Sequence, residues 1–149
     1  AFARDLGGSL MVTGSRRTGG PCEQVLARAL DAPHFLYRWS AGGENPYLGM
    51  LGSADAVLVT ADSASMCTEA CASGAPVFLY RPGSGGKKLA RLHRRLEELG
   101  HLLPLGAPWP ERLPPPLEPA ATVAEAIRER LGSAVRLPRL AVARAPASR

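Results

Sequence analysis

DAVLVTADSASMCTEACASGAPVFLY, residues 55–80, is the segment that decides the fold of this chain. Asp55 to Thr60 is a short apolar run rich in β-branched residues, which is typical of a buried parallel strand, and Pro76 to Tyr80 is a second such run. Between them we expect a helix from about Ser65 to Ser73, ended by Gly74. In an open α/β sheet, ligands bind where such a strand turns into its helix, because the unpaired N–H groups of the helix face the crevice.

The same alternation continues on both sides of this segment. Strands are predicted at residues 9–13, 34–39 and 101–105, and helices at residues 21–30, 45–51, 87–99 and 121–131. The pattern predicts a Rossmann-like, three-layer α/β/α domain with a mostly parallel sheet of about five or six strands, spanning residues 1–132. Residues 1–6 resemble the end of a helix, so we expect the sequence to begin inside a longer protein. Residues 133–149 form a basic, Ala/Pro-rich tail that we expect to be poorly ordered.

Composition and charge narrow the classes of function. The 149 residues are 46% hydrophobic, which is enough for one domain with a real core. The net charge is +5, but residues 133–149 contain four arginines and no acidic residue. The body of the chain is therefore close to neutral, and we expect no nucleic-acid partner. No run approaches the ~18 apolar residues of a membrane span, so a cytoplasmic location is expected.

The cysteines and histidines do not form a metal-binding pattern. Three cysteines occur without a CxxC pair, and Cys67 and Cys71 are predicted to lie as small core residues on one helix. None of the histidines has a metal-ligand spacing to a cysteine or to another histidine. We therefore predict no metal site.

The loop that follows the first predicted strand, residues 14–20, carries two adjacent arginines, Arg16 and Arg17. Two guanidinium groups at the carboxyl end of a strand are suited to a phosphate or diphosphate. The alternative is a pair of surface arginines, and the pattern does not separate the two. A second glycine-rich segment, residues 81–88, is not a Walker loop, because it has Arg81 and Lys88 where that motif needs glycine and serine or threonine.

The turn after Thr60 offers the sharpest hypothesis. Ser63 and Ser65 supply hydroxyl groups beside helix N–H groups that have no intrahelical partner, so a phosphate can be held there. Glu69 lies one turn further along, about 6 Å up the axis at ~1.5 Å per residue, where its carboxylate could accept the hydroxyl groups of a ribose. The alternative is that a serine only caps the helix and Glu69 is solvated. Asn45 similarly caps a short helix or faces a ligand.

Three segments taken together resemble the mitochondrial-fission, elongated-mitochondria protein family. They are NPYLGMLGSADAVLVTADSASMCTEACASGAPVFLY, the upstream SRRT and the downstream KKLARLHRRLEELG. The resemblance covers residues 9 to about 109. Bacterial members of that family are often labelled nucleoside-diphosphate-sugar epimerases, and the family is similar to GT-B glycosyltransferases, which have two Rossmann-like domains facing a cleft. The resemblance implies that this chain is the C-terminal, donor-binding half of a GT-B-type fold, whose partner is an N-terminal GT-B domain of the same protein.

The same resemblance implies a ligand and a set of contacts. The ligand would be a nucleotide-diphosphate sugar, used as donor substrate rather than as a tightly bound cofactor. The loop around Ser15 and Arg16, the turn from Ser63 to Met66, and Glu69 would contact its diphosphate and ribose, with Met66 contributing its backbone N–H. Transfer would need no metal, and no catalytic residue is identified in this half.

Two other functions have to be weighed. A non-catalytic GT-B-like scaffold would recruit a protein or peripheral membrane partner, as the link of the eukaryotic relatives to mitochondrial division implies. An epimerase of the short-chain dehydrogenase type needs a glycine-rich GxGxxG or GxxGxxG after the first strand and a YxxxK pair. The sequence has neither motif, so that activity is not expected.

Overall fold

A computed structural model describes residues 7–30, 33–83 and 86–131 of the chain. The chain divides into two compact units, Ala1–Leu117 and Glu118–Arg149. The helix end predicted at residues 1–6 and the basic tail predicted at residues 133–149 lie outside the described residues.

Parallel strands form the centre of the first unit. Within the described residues they make two hydrogen-bonded sheets, one of order β1-β2 and one of order β3-β4-β5. In register, Leu10 of β1 lies opposite His34 of β2, and Val57 of β3 lies opposite Val77 of β4. The parallel α/β class predicted from the sequence is therefore confirmed. The strands are β1 (Leu10–Thr13), β2 (His34–Tyr37), β3 (Val57–Thr60), β4 (Val77–Tyr80) and β5 (Leu103–Pro104).

Helices connect successive strands, as parallel pairing requires. Most boundaries fall within one or two residues of the predicted ones, because glycine and serine mark the ends. Gly74 and Gly100, for example, have φ values of +82° and +77°, the left-handed conformation that follows many helices. The helices are α1 (Gly19–Ala29), α2 (Tyr47–Ser53), α3 (Ala64–Ala72), α4 (Lys87–Glu98) and α5 (Pro119–Leu131), and a short 3₁₀ turn covers Trp39–Ala41.

The core lies where α3 and α4 pack on the β3-β4-β5 sheet. Cys67 and Cys71 are both buried there, as predicted for small residues on the inner face of α3. The proline-rich segment that follows β5 returns to this core, where the amide of Leu117 donates to the carbonyl of Cys71 at 3.3 Å. The buried members of the cluster are Val59, Ala61, Cys67, Ala70, Cys71, Val77, Leu79, Leu96 and Leu102.

Two predicted details of packing are wrong. The sequence predicts that Leu48 points inward from α2, but it is 76% exposed, and Met50 is the buried residue. The helix begins at Tyr47 rather than at Pro46, which changes the face that it presents to the core. On α4 the expected pair of Arg94 with Glu98 is replaced by Arg95 with Glu98, at 3.4 Å and a spacing of three residues.

Helix α5 belongs to the second unit. Val123, Ile127 and Leu131 follow one another at a spacing of four residues along one side of it, and all three are exposed. Glu125 and Arg128 form an exposed ion pair at 3.2 Å. The helix thus carries an apolar stripe beside a charged face.

Candidate functional site

The loop after β1 is folded by its own polar groups. Thr18 Oγ1 accepts from the amide of Ser15 at 2.8 Å, and the Ser15 hydroxyl accepts from the amide of Arg17 at 3.3 Å. Ser15 is therefore engaged in shaping the turn, while the side chains of Arg16 and Arg17 remain exposed. This turn presents two guanidinium groups at the carboxyl end of β1.

The loop after β3 lies close to that turn. Arg17 reaches Asp62 with a nitrogen–oxygen distance of 3.9 Å, and Asp62 in turn accepts a hydrogen bond from the hydroxyl of Thr60. Both acidic and basic side chains are more than half exposed, so the pair is worth little as a contribution to stability. The contact between Arg17 and Asp62 nevertheless shows that the β1 and β3 loops meet at one edge of the domain.

The N-terminus of α3 begins beside Asp62. Ser63 caps the helix, since its hydroxyl accepts from the amide of Met66 at 3.4 Å and its carbonyl accepts from Cys67 at 3.2 Å. The Met66 amide, expected to face a ligand, thus donates to the cap. The amides of Ala64 and Ser65 come earlier in the helix, where no carbonyl lies one turn before them, so they are the ones suited to an anion.

The exposed side of α3 carries Ser65 and Glu69, four residues apart. Its opposite side buries Cys67, Ala70 and Cys71 in the core. The segregation of polar and apolar positions fixes the rotation of the helix, so both polar side chains lie on the side of α3 that faces away from the core.

Asn45 and Tyr47 bring a third segment to this edge. The Asn45 side-chain oxygen accepts from the amide of Tyr47 at 3.1 Å, a turn that starts α2 although Asn45 lies one residue before the cap position. The side chain of Tyr47 is partly buried. Burial first, and then hydrogen bonding and charge repulsion from Glu69, raise the pKa of Tyr47, which keeps the hydroxyl protonated at neutral pH.

A buried carboxylate, Glu23 of α1, was not predicted. It is 2% exposed and accepts from the amide of Ser40 at 3.4 Å and from the Ser40 hydroxyl, which ties α1 to the 3₁₀ turn after β2. The Ser40 hydroxyl is the main reason that the pKa of Glu23 lies below its usual value. A Cβ at Gly14 would come within 3.0 Å of Glu23 Oε1, so the carboxylate also accounts for the glycine that begins the β1 loop. The signal in the sequence was the position of Glu23 three residues before Leu26, on the same face of α1.

A cysteine and a histidine meet behind α3. The Sγ atom of Cys67 lies 3.6 Å from Nε2 of His93, and both residues are buried. Burial raises the pKa of the Cys67 thiol to about 11 and lowers the pKa of His93. Both groups are therefore neutral at pH 7, unlike the thiolate and imidazolium of a nucleophilic pair.

A shallow groove lies between α2 and the face of the β1-β2 sheet. It encloses about 690 Å³, and Asn45 lines it together with exposed Met11, Phe35 and Leu48. Its lining is mostly apolar, so it is not suited to a diphosphate. Asn45 therefore lies both at the start of α2 and on the rim of a mostly apolar groove.

The predicted site residues are thus partly brought together. Ser65 and Glu69 share one face of α3, and the loop of Ser15 and Arg16 reaches Asp62, in the loop before that helix, through Arg17. Glu69 also contributes to the raised pKa of Tyr47, which was not a predicted site residue. Among the residues that the structure describes, no three histidine, cysteine, aspartate or glutamate side chains are grouped so as to hold a metal ion.

The structure is that of a Rossmann-like α/β domain: parallel strands alternate with helices, and polar side chains follow β1 and β3 at the carboxyl ends of the strands. A model of the family described as Mitochondrial fission ELM1 matches residues 1–131. The chain belongs to this family.

Two relatives show how much of a longer protein is covered. The Arabidopsis thaliana protein named "Mitochondrial fission protein ELM1" is 36% identical over 93 residues, which are 62% of this chain and 22% of the relative. The Rickettsia prowazekii (strain Madrid E) protein "Uncharacterized protein RP120" is 37% identical over 70 residues, 46% of this chain and 20% of the relative. The chain therefore matches about a fifth of the length of each.

No solved structure shows a significant match to the chain. In the described ranges, no helix combines the length and the apolar character that crossing a membrane would need.

Proposed function

We propose that this domain binds a nucleoside-diphosphate sugar, with the diphosphate at the start of α3 and the ribose at Glu69. The observation that carries the proposal is the meeting of the β1 loop with the α3 N-terminus, marked by the 3.9 Å contact of Arg17 with Asp62. Guanidinium groups and unpaired helix amides are both anion ligands, and here they approach one edge from two sides.

The spacing along α3 supports the second half of the proposal. Glu69 is exposed and stands about 6 Å along the helix axis from Ser65, at ~1.5 Å per residue. That distance is similar to the separation between a phosphate and the hydroxyl groups of its own ribose. A carboxylate there would accept from both hydroxyls, which favours a ribonucleotide over free diphosphate.

In the full-length protein the expected reaction is glycosyl transfer. Breaking the bond between sugar and diphosphate increases the negative charge on the leaving diphosphate, and Arg16 together with the α3 amides would stabilise that charge. The general base and the acceptor site would lie on the other GT-B domain. An Arg16→Ala change should then reduce turnover more than donor affinity, and equal losses would contradict this role.

The alternative is a scaffold that recruits a partner without catalysis. The name of the Arabidopsis relative, a mitochondrial fission protein, favours this function. On that alternative the edge of the sheet would have no nucleotide affinity.

A thermal-shift screen separates the two. The chain is heated with UDP, GDP, ADP, CMP and their sugar conjugates, and a ligand at 100 times its dissociation constant stabilises by ~2.7 kcal/mol, a shift of several degrees. We expect a shift with one base class, reduced in Arg16→Ala and Glu69→Ala and retained in Arg94→Ala, a matched change at an exposed arginine of α4. If no nucleotide shifts either this chain or the full-length protein, the proposal is wrong and the scaffold is favoured.

A further inference from the structure

An acidic side chain, Asp62, lies at the edge where we place the diphosphate. It directly precedes Ser63, the cap of α3, and its Oδ2 atom lies 3.9 Å from a guanidinium nitrogen of Arg17. A carboxylate beside an anion site repels the anion and competes with it for the same arginine. Diphosphate binding alone therefore does not account for an acidic residue at this position.

The Asp62 carboxylate is held by both loops of this edge. Its Oδ1 atom accepts a hydrogen bond from the Thr60 hydroxyl in the β3 loop, and its Oδ2 atom contacts Arg17 in the β1 loop. Two partners on opposite sides restrict the rotation of the carboxylate. The side chain is nevertheless 55% exposed, so its charge also faces the solvent from which a ligand would approach.

Asp62 reduces the positive charge of the two loops. Arg16 and Arg17 contribute two guanidinium groups, and the carboxylate of Asp62 offsets one of them. The amides at the start of α3 add only a partial charge, about half an elementary charge. The two loops and the helix end thus present a weakly positive surface, which gains little from each further negative charge on a ligand.

Nucleoside diphosphates and their sugar conjugates differ in charge at the second phosphate. In a nucleoside diphosphate this phosphate is terminal and loses a second proton near pH 6, so the group carries about three negative charges at pH 8, as inorganic pyrophosphate does. In the sugar conjugate both phosphates are diesters, and the group carries about two. A neighbouring carboxylate therefore disfavours the nucleoside diphosphate more than the nucleotide sugar.

We propose that Asp62 is a specificity-determining residue, whose negative charge selects the diphosphate diester of a nucleotide sugar against free nucleoside diphosphates and pyrophosphate. The inference rests on the proposed function and deepens it, because it names the charge of the ligand that the site prefers. An Asp62 with a purely structural role would instead join the two loops through Arg17 and Thr60, and it would support the binding of all these anions alike.

The test removes the charge of Asp62 and keeps its shape. Asp62→Asn retains an oxygen that can accept from the Thr60 hydroxyl. Dissociation constants of the 149-residue chain and of this variant are measured at pH 8 and low salt for UDP, ADP and GDP, for UDP-glucose, ADP-glucose and GDP-mannose, and for pyrophosphate. The preference for the nucleotide sugar over its nucleoside diphosphate and over pyrophosphate should fall by about three- to tenfold in the variant. At 1 M salt, where the screening length is about 3 Å, the two proteins should differ less.

Two further variants keep the result interpretable. Asp55→Asn changes the net charge by the same amount at an exposed position before the amino end of β3, so it should leave the preference unchanged. Asp62→Ser is a second neutral variant with a short side-chain oxygen. It should behave like Asp62→Asn, and it serves if Asp62→Asn does not fold. Circular dichroism of each variant monitors the fold.

The outcomes separate the two proposals. A preference that is unchanged in folded Asp62→Asn, or in Asp62→Ser where Asp62→Asn does not fold, overturns the role of Asp62 and leaves nucleotide binding intact, whether all affinities stay the same or all change alike. An equal fall in Asp55→Asn also overturns it, because the effect then belongs to the net charge. If neither the unmodified chain nor the full-length protein binds any of these ligands, the proposed function fails, and the role of Asp62 fails with it.

Discussion

The two sheets of the first unit differ in burial. In β4 the first three of four residues are buried, whereas no residue of β1 or β2 is buried. The β3-β4-β5 sheet has α3 and α4 packed on it, while the β1-β2 sheet leaves Met11 and Phe35 exposed. The β3-β4-β5 sheet is therefore the packed sheet that supports α3. The β1-β2 sheet is less buried and contributes the polar loop that follows β1.

The largest effect on stability should come from a substitution in the β3-β4-β5 sheet. Leu79→Ala removes a side chain that is 1% exposed and should lower the free energy of unfolding by about 3 kcal/mol, through lost burial and a residual cavity. Leu36→Ala, in the partly buried β2, should cost about half as much. Urea unfolding of both variants measures the difference. Equal losses would show that the two sheets are packed equally well.

The cap of α3 should have the next largest effect. Ser63→Ala removes the oxygen that accepts from the Met66 amide and should lower the free energy of unfolding by about 1 kcal/mol. Ser65→Ala, two residues later and exposed, is the matched control and should be neutral or slightly stabilising, because alanine has the higher helix propensity. Similar losses in both would mean that the serine hydroxyl is not the cap that decides the stability of α3.

Acidification should weaken the packed sheet through His93. Burial, followed by the charge of Arg81, lowers the pKa of His93 below its usual 6.5, against an opposing effect of Glu97. The folded state thus binds fewer protons than the unfolded state, so stability is present above pH 6.5 and falls as the pH drops below it. Urea midpoints at pH 8, 6 and 5 should decrease, and His93→Leu should flatten the decrease. A wild-type midpoint that does not change with pH would contradict this.

The smallest effect on stability should come from Glu23 of α1, the helix that connects β1 to β2. It should be seen only at lower pH. The pKa of Glu23 lies below its usual 4.5, mainly because of the Ser40 hydroxyl, so its contribution is present above that pH and is lost as the pH falls further. Thermal midpoints between pH 5 and 3 should therefore fall less in Glu23→Gln than in the unmodified chain. Glu44→Gln, at an exposed position, should keep the full pH dependence. Identical slopes in all three proteins would rule out the role of Glu23.

The strands were predictable because a short apolar run bounded by turn residues rarely forms anything but a buried strand when β-branched residues dominate it. Val57 to Thr60 and Val77 to Tyr80 pair in register as parallel strands, and both lie inside the segments assigned from the sequence. The capping of α3 by Ser63 was also predictable, since serine before a helix has a local function that does not depend on tertiary contacts.

Details that depend on side-chain packing were less predictable. In a helix as short as α2, one residue of displacement changes the buried face, which is why Met50 rather than Leu48 is inside. His93 of α4 is buried three residues before the buried Leu96, on the side of the helix that faces the core, although a histidine beside arginines is typical of a charged, solvated face.

The effect of Glu69 on the pKa of Tyr47 could not have been predicted. The two residues lie on helices that are separated by a strand, so the effect depends on how α2 and α3 pack. Local patterns locate each of the two residues near the carboxyl edge. The distance between them follows only from the tertiary structure.

The positions of the three cysteine thiols allow chemical labelling to measure how often α3 separates from its sheet. Cys22 is exposed on α1, while Cys67 and Cys71 are buried on the inner face of α3. A maleimide should therefore modify the native chain once, quickly, and add the second and third labels only when α3 separates from its sheet. When closing is faster than modification, the labelling rate equals the opening equilibrium constant multiplied by the rate for a free thiol. Mass spectrometry of the labelled chain would thus read the opening free energy of the packed region without any denaturant.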